Sequence, residues 1–164
     1  MHIAMIGAGY VGLVTGACFS EFGHDVTCID RDEARIKKLN AGDMPIYEPG
    51  LEELVAGSVK SGRLSFATGL EDAVKGADAV FIAVDTPNSE GNGDADLGNV
   101  FAVAEKIAAA LDGYTVVVTK STVPVGTGRE VEKIIRGLNA DADFDVVSNP
   151  EFLREGSAIG DFLR

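Results

Sequence analysis

Three glycines near the N-terminus have the spacing that a phosphate-binding loop requires. Gly7, Gly9 and Gly12 form the pattern G-x-G-x-x-G directly after the apolar run Ile3–Ile6, and a helical pattern follows them. In such a loop Gly7 permits a tight turn, Gly9 leaves room for a phosphate and Gly12 allows close packing of helix and strand. The N–H groups at the start of the helix attract phosphates. The pattern therefore predicts a site for the pyrophosphate of a dinucleotide.

An acidic residue lies where a dinucleotide site needs one. Asp30 follows the apolar run Val26–Ile29 and lies 18 residues after Gly12. A carboxylate at this position accepts hydrogen bonds from the adenosine ribose and repels a 2′-phosphate, which favours NAD over NADP. Arg31, beside it, leaves NADP open as an alternative. A second alternative is an ordinary strand–helix–strand turn in which Asp30 caps a helix.

Apolar runs and helical patterns alternate along the chain and predict its fold. Short runs rich in β-branched residues predict buried parallel strands at Ile3–Ile6, Val26–Ile29, Leu64–Ala67, Ala79–Val84, Thr115–Thr119 and Phe144–Val147. Apolar residues at helical spacing predict helices at 10–22, 32–39, 50–59, 70–75, 97–111 and 131–138. The alternation predicts an α/β fold: a Rossmann-type, doubly wound and mainly parallel sheet of about six strands with helices on both faces. We expect residues 1–164 to form one domain.

Composition and charge exclude several classes of partner. The chain has 164 residues and a formal net charge of -12, so we expect it to bind neither nucleic acid nor an anionic membrane surface. Its apolar runs are too short to span a membrane, and its N-terminus does not resemble a signal peptide. Two cysteines in such a chain indicate reduced thiols and a cytoplasmic location.

A metal site is not expected. Cys18 and Cys28 match no metal-ligand spacing. The acidic stretch 90–96 lacks the ligand spacing of a calcium loop. We interpret it as a polar loop in which Asp96 caps the helix that follows.

Further motifs follow the predicted strands and identify a family. They are Tyr47-Glu48-Pro49-Gly50-Leu51, Val84-Asp85-Thr86-Pro87, the run Lys120-Ser121-Thr122-Val123-Pro124-Val125-Gly126-Thr127, and Ser148-Asn149-Pro150-Glu151-Phe152-Leu153-Arg154-Glu155-Gly156. Together with the glycine loop, and in this order, they resemble the UDP-glucose 6-dehydrogenase family over the whole chain. Related GDP-mannose and UDP-N-acetyl-hexosamine dehydrogenases share much of the pattern. The continuation Gly156-Ser157-Ala158-Ile159 is more similar to the UDP-glucose branch.

The resemblance implies an activity and partners. Members of the family oxidise UDP-glucose to UDP-glucuronate in two NAD-dependent steps and form homodimers at full length. Their catalytic Cys, with a Lys and an Asn that assist it, and their UDP-binding domain follow the first domain. We therefore expect this chain to bind NAD as the N-terminal part of such an enzyme, without turnover of the UDP-sugar by itself. A GDP-mannose or UDP-N-acetyl-hexosamine enzyme, another Rossmann dehydrogenase and a non-catalytic NAD-binding module are the alternatives.

The resemblance also implies roles for particular residues. The implied cofactor-binding residues are Gly7, Gly9, Tyr10, Val11, Gly12, Asp30, Arg35, Thr86, Thr122 and Glu155. The implied catalytic residues, which hold water and relay protons, are Thr122, Glu151 and Glu155. The implied substrate-binding residues are Glu151, Phe152, Leu153, Arg154 and Glu155. The sequence departs from the family at Asp85, where relatives often have a small residue, and at Arg35, where they usually have Lys.

Overall fold

The strands and helices alternate along the chain as the apolar pattern predicts. The computed structural model describes residues 1–87 and 95–164, which contain six strands and seven helices. The strands are β1 (His2–Ile6), β2 (Asp25–Ile29), β3 (Leu64–Ala67), β4 (Ala79–Ile82), β5 (Thr115–Thr119) and β6 (Phe144–Ser148). The helices are α1 (Tyr10–Glu21), α2 (Glu33–Asn40), α3 (Leu51–Lys60), α4 (Leu70–Val74), α5 (Gly98–Ala110), α6 (Thr127–Leu138) and α7 (Ala158–Phe162).

All six strands form one parallel sheet. Their order is β3-β2-β1-β4-β5-β6, so the chain crosses from one half of the sheet to the other between β3 and β4. β1 and β4 are therefore neighbours at the switch point, where the carboxyl ends of the two strands leave a crevice. This confirms the predicted Rossmann-type fold.

Helices cover both faces of the sheet because alternate strand residues point to opposite sides. In β1, Ile3 and Met5 belong to a core with α1, α2, α3 and α7, whereas Ala4 and Ile6 belong to a core with α4, α5 and α6. Burial on both faces explains why the central strands read as continuous apolar runs. In the described parts of the chain we find no helix with the length and apolarity that crossing a membrane requires.

Two local expectations differ from the structure, and a third lies mostly outside the described residues. β4 ends at Ile82 rather than Val84, and the backbone of Ala83, which follows it, lies against Gly7 of the glycine loop. The N-cap of α5 is Leu97, although the Asp96 carboxylate accepts the Gly98 N–H at 2.8 Å and so satisfies the same helix end. Of the predicted 90–96 loop, residues 90–94 lie outside the described residues.

Candidate functional site

Two clefts meet at the glycine loop, on the edge where the parallel strands end. The first, of about 300 Å³, lies over the ends of β1, β2 and β4 and reaches Asp30 and Arg35. The second, of about 170 Å³, lies toward β5 and is lined by Thr86, Thr122 and other residues. Gly9 borders both clefts, so one extended ligand passing over Gly9 would occupy the two together.

The three glycines of the loop serve two different purposes. Gly7 has φ +110°, and a Cβ there would lie 2.3 Å from the carbonyl oxygen of Ala83. A Cβ on Gly12 would lie 1.8 Å from the carbonyl oxygen of Gly7. Both positions therefore require glycine for packing. A Cβ on Gly9 would have its nearest neighbour, a carboxylate oxygen of Asp85, only at 4.0 Å. The space in front of Gly9 is thus open to a ligand.

The start of α1 offers unsatisfied N–H groups to an anion. Among the described residues no side chain caps this helix, and its first turn contains no acidic residue. By contrast, the Asp32 side chain caps α2 by accepting the N–H groups of Ala34 and Arg35. An uncapped helix N-terminus carries partial positive charge and binds phosphate. The loop and this helix end therefore fit the pyrophosphate of a dinucleotide.

Asp30 is held in place by three donors of the protein itself. Its Oδ2 accepts the Ala8 N–H at 2.9 Å and Arg35 Nη1 at 3.0 Å, and its Oδ1 accepts the Asp32 N–H at 3.0 Å. Burial alone would raise the pKa of Asp30, but the N–H groups of Asp32 and Ala8 and the Arg35 guanidinium outweigh it and lower that pKa. The carboxylate stays ionised, and Oδ1, with one donor, retains acceptor capacity for a ribose hydroxyl.

Arg35 contacts Asp30, the residue that is predicted to bind the ribose. Its guanidinium forms an ion pair with Asp30 at 3.0 Å while both residues line the first cleft. Arg31 and Lys106 line this cleft as well. The resemblance implies that Arg35 binds the cofactor, and its ion pair also orients the Asp30 carboxylate.

The second cleft brings together hydroxyl groups, a cation and a carboxylate. It is lined by Tyr10 and Val11 at the start of α1, by Thr86, by Thr122 and by Glu151. The Thr86 hydroxyl donates to the carbonyl oxygen of Thr122 at 2.9 Å, which fixes these two loops relative to one another. Hydroxyls and carboxylates of this kind can hold a water molecule and move a proton.

Lys120 is a buried cation in this cleft, and none of the sequence motifs implied a role for it. It is 5% exposed, and its Nζ donates to Oδ1 of Asn149 at 3.2 Å. Burial lowers the pKa of Lys120, and the nearby charge of Glu151 acts in the opposite direction. Its position directly after β5 was a usable signal, since charged residues at strand ends in such sheets face the ligand crevice.

The segment 149–157, which contains the predicted substrate-binding residues, is neither helix nor strand. Glu151 and Glu155 are four positions apart and would share a face if the segment were a helix. Because it is not a helix, they do not. The Glu151 carboxylate accepts the N–H of Leu153, whose side chain packs against the core. Phe152 is 82% exposed, and Arg154 forms an ion pair with Asp161 at 2.6 Å.

Glu48 is a second buried charged residue whose partners no motif in the sequence indicates. Its buried carboxylate accepts the Tyr10 hydroxyl at 2.6 Å and the N–H of Gly156 at 2.7 Å. It therefore connects the glycine loop to the segment that contains Glu155. The motif Tyr47–Leu51 was noticed, but no spacing within the motif indicates a partner so far along the chain.

Comparison with known proteins identifies the family. The profile of the UDP-glucose/GDP-mannose dehydrogenase family, NAD binding domain, matches residues 1–164. A UDP-glucose 6-dehydrogenase of Rhizobium meliloti is 64% identical over 164 residues, which are 100% of this chain and 38% of that protein. One from Bacillus subtilis is 53% identical over 162 residues, 98% of this chain and 35% of that protein. The chain thus spans well under half the length of these relatives.

Solved structures agree with this assignment. A GDP-mannose dehydrogenase from Pseudomonas aeruginosa superposes with a TM-score of 0.93 at 41% identity, covering 99% of this chain and 38% of that chain. A UDP-glucose dehydrogenase from Pyrobaculum islandicum gives a TM-score of 0.92 at 44% identity, covering 98% and 38%. The chain therefore belongs to the UDP-glucose/GDP-mannose dehydrogenase family, whose NAD-binding domain it matches from residue 1 to residue 164.

Proposed function

We propose that this chain holds NAD, and part of the proton-transfer machinery, for an enzyme that oxidises the C6 alcohol of UDP-glucose to a carboxylate. The observation that carries the proposal is the meeting of the two clefts at Gly9, with Asp30 in one and Thr122 and Glu151 in the other. The choice of UDP-glucose is supported by the 64% identity to a protein of that activity. GDP-mannose is the second candidate, since an enzyme for that sugar superposes with a TM-score of 0.93.

In the proposed arrangement each cleft binds one half of the dinucleotide. Asp30 accepts the adenosine ribose hydroxyls in the first cleft, while the N–H groups at Gly9, Tyr10 and Val11 hold the pyrophosphate. Thr86 and Thr122 border the nicotinamide half in the second cleft. NAD, when bound, supplies the hydride acceptor, and the protein orients it.

The same arrangement gives the acidic residues of the segment 149–157 a chemical task. Oxidation of an alcohol releases a proton together with the hydride, so a base near the alcohol accelerates it. We assign this proton relay to Thr122, Glu151 and Glu155, with the Thr122 hydroxyl holding a water molecule. The nearby charge of Glu151 favours the protonated, cationic form of Lys120. Residues 152–154 would form the wall between cofactor and sugar.

We propose that neither cysteine of these 164 residues is the thiol that the second oxidation step requires. Cys18 and Cys28 are fully buried. Burial raises the pKa of Cys18 to about 11, with Glu21 and Glu48 adding to it, and burial raises the pKa of Cys28 to about 12. Neither is a nucleophile at neutral pH. We propose that the chain alone binds NAD without oxidising sugar, and that the whole enzyme is a cytoplasmic homodimer.

Titration calorimetry tests the cofactor half of the proposal. We expect NAD to bind the 164-residue chain more tightly than NADP, and Asp30→Ala to weaken NAD binding. Hydrogen bonds to a charged group contribute about 1.5–3 kcal/mol, which corresponds to roughly tenfold to hundredfold in affinity. Asp141→Ala, an exposed acid before β6, is the matched control. Equal affinity for NAD and NADP, or no effect of Asp30→Ala, would contradict the assignment.

Formation of NADH tests the substrate half. The protein expressed from its complete gene is incubated with NAD and UDP-glucose, GDP-mannose or a UDP-N-acetyl-hexosamine. We expect two NADH per UDP-glucose and little from the other sugars, because each of the two oxidation steps delivers one hydride. The 164-residue chain should produce none. Turnover by that chain alone, or a preference for GDP-mannose, would contradict the proposal.

A further inference from the structure

Glu48 is a buried carboxylate, and burial of such a group requires polar partners. It lies in the turn before α3 and is 5% exposed, whereas glutamates are almost always at the surface unless paired. Taking a charge out of water is costly unless hydrogen bonds replace the lost hydration. The partners of Glu48 therefore show what the residue does.

Those partners come from two distant parts of the chain. Oε2 accepts the Tyr10 hydroxyl at 2.6 Å and the Gly156 N–H at 2.7 Å, and Oε1 accepts the Ala158 N–H at 2.8 Å. Tyr10 is separated from Glu48 by 38 positions, Gly156 by 108 and Ala158 by 110. One carboxylate thus joins the first residue of α1 to the end of the segment 149–157.

The donor and the acceptor in each of these hydrogen bonds are fixed. Burial by itself would raise the pKa of Glu48, but the hydrogen bonds from Tyr10, Gly156 and Ala158, and from the Ile159 N–H, outweigh it and lower that pKa. Burial, followed by the bond to Glu48 and its charge, raises the pKa of the Tyr10 hydroxyl. Tyr10 therefore remains a donor and Glu48 an ionised acceptor, which makes the bond charge-assisted and strong.

One end of this connection lines the second cleft, and the other end is next in the chain to a residue of the proposed proton relay. Tyr10 follows Gly9 directly and lines the second cleft. Gly156 follows Glu155, whose charge acts on Tyr10. The other end of the segment is fixed separately, by the Asn149 N–H donating to the carbonyl oxygen of Thr119 at 3.0 Å. Glu48 therefore holds the end of the segment that contains Glu155.

We propose that Glu48 is a positioning residue that couples cofactor binding at the glycine loop to the order of the segment 149–157. NAD fixes the start of α1 and with it the side chain of Tyr10. The hydrogen bond from Tyr10 then orients the Glu48 carboxylate, which holds Gly156 and hence its neighbour Glu155. Coupling of this kind is reciprocal, so an ordered segment also strengthens NAD binding. The inference rests on the proposed function only in so far as Glu155 is one of its proton-transfer groups.

Amide hydrogen exchange of the 164-residue chain, followed by NMR, tests the first half of this connection. Glu48→Gln keeps the shape of the side chain and removes its charge. We expect the Gly156 and Ala158 amides to exchange at least about tenfold faster in this variant, because local opening controls exchange. The amides of β5 should keep their protection. Glu132→Gln, an exposed glutamate on α6, is the matched control and should exchange like the wild type.

Tyr10→Phe tests the coupling itself. This variant leaves the bonds of Glu48 to Gly156 and Ala158 in place, so their exchange without NAD should stay near the wild-type rate. In the wild type, saturating NAD should slow the exchange of both amides, and in Tyr10→Phe this slowing should disappear. NAD affinity in Glu48→Gln should fall at least about fivefold, the lower end of typical coupling.

The outcomes separate this inference from the proposed function. Unchanged exchange of Gly156 and Ala158 in Glu48→Gln, or equal slowing by NAD in the wild type and both variants, overturns the role of Glu48 while leaving NAD binding intact. Failure of the wild type to bind NAD overturns the proposed function, and the coupling with it. Faster exchange in Glu48→Gln together with loss of the NAD effect in Tyr10→Phe supports the inference.

Discussion

The glycine loop and the segment 149–157 both border the second cleft, but different forces hold them. The loop joins β1, buried along nearly its whole length, to α1, and an added Cβ at Gly12 would come within 1.8 Å of backbone. The segment has no regular structure. Its two ends are held by hydrogen bonds, one donated by the Gly156 N–H to Glu48 and one donated by the Asn149 N–H to the carbonyl oxygen of Thr119. One region is fixed by packing and the other by a few polar contacts.

This difference indicates how each region responds to change. Close-packed backbone has no room for an added atom, so the loop is sensitive to volume. A segment held by a buried carboxylate is sensitive to charge, because removing the charge leaves its donors unsatisfied. We therefore expect the glycine loop to stay rigid and the segment 149–157 to change its order with ligand or pH.

The largest expected effect is that of Gly12→Ala. The new Cβ would overlap the carbonyl oxygen of Gly7, which is backbone and cannot rotate away. We expect a loss of unfolding free energy of at least about 3 kcal/mol, the upper end of the cost of overpacking, measured by urea denaturation. Gly57→Ala in α3, where a Cβ meets nothing within 4 Å, is the control and should stabilise the chain slightly. Equal stabilities would show that packing does not fix the loop.

Gly9→Ala tests whether this glycine is needed to leave space for the ligand rather than for packing of the loop. Its φ is -77°, which any residue adopts, and its Cβ would face open space. We expect the unfolding free energy to change by no more than about 0.5 kcal/mol, as for an ordinary surface position. NAD affinity, measured by calorimetry, should fall because the methyl group enters the pyrophosphate space. Retained affinity would mean that the ligand does not pass over Gly9.

Acidification should reduce the stability that ionised Glu48 contributes by holding the segment 149–157. The folded-state pKa of Glu48 is lowered, whereas an unfolded glutamate titrates near about 4.3. Its ionisation therefore contributes stability that is fully present above that pH and is lost as pH falls through the lower folded value. In urea denaturation, the stability difference between the wild type and Glu48→Gln should shrink toward acid pH. A difference that stays constant with pH would argue against an ionised Glu48.

The smallest expected effect is that of Arg154→Ala. Arg154 is largely exposed, so its ion pair with Asp161 is screened by water and contributes little to stability. We expect the Tm and the NAD affinity to match those of Arg129→Ala, an exposed arginine on α6. An effect limited to the KM for the sugar nucleotide in the whole protein would support the proposed substrate role. A clear drop in Tm would show that polar contacts of the segment are stronger than we infer.

Much of the fold was predictable because its signals are local. β3 and β5 were predicted with their observed bounds, since buried strands read as apolar runs. The form of the segment 149–157 was not predictable, because the spacing of Glu151 and Glu155 also suits a helix. Arg35 was predicted to bind the cofactor, but its ion pair with Asp30 depends on the path of the chain after β2.

The sequence alone determined the alternating fold, the glycine loop and the acid after β2, because each depends on residues close together in the chain. Only the tertiary structure decided the contacts and the burial of Glu48 and Lys120. Their hydrogen-bond partners lie 29 to 110 positions away, and burial sets the cost of their charges. Whether such a charge lies in water or inside depends on what packs around it, which spacing within the sequence does not record.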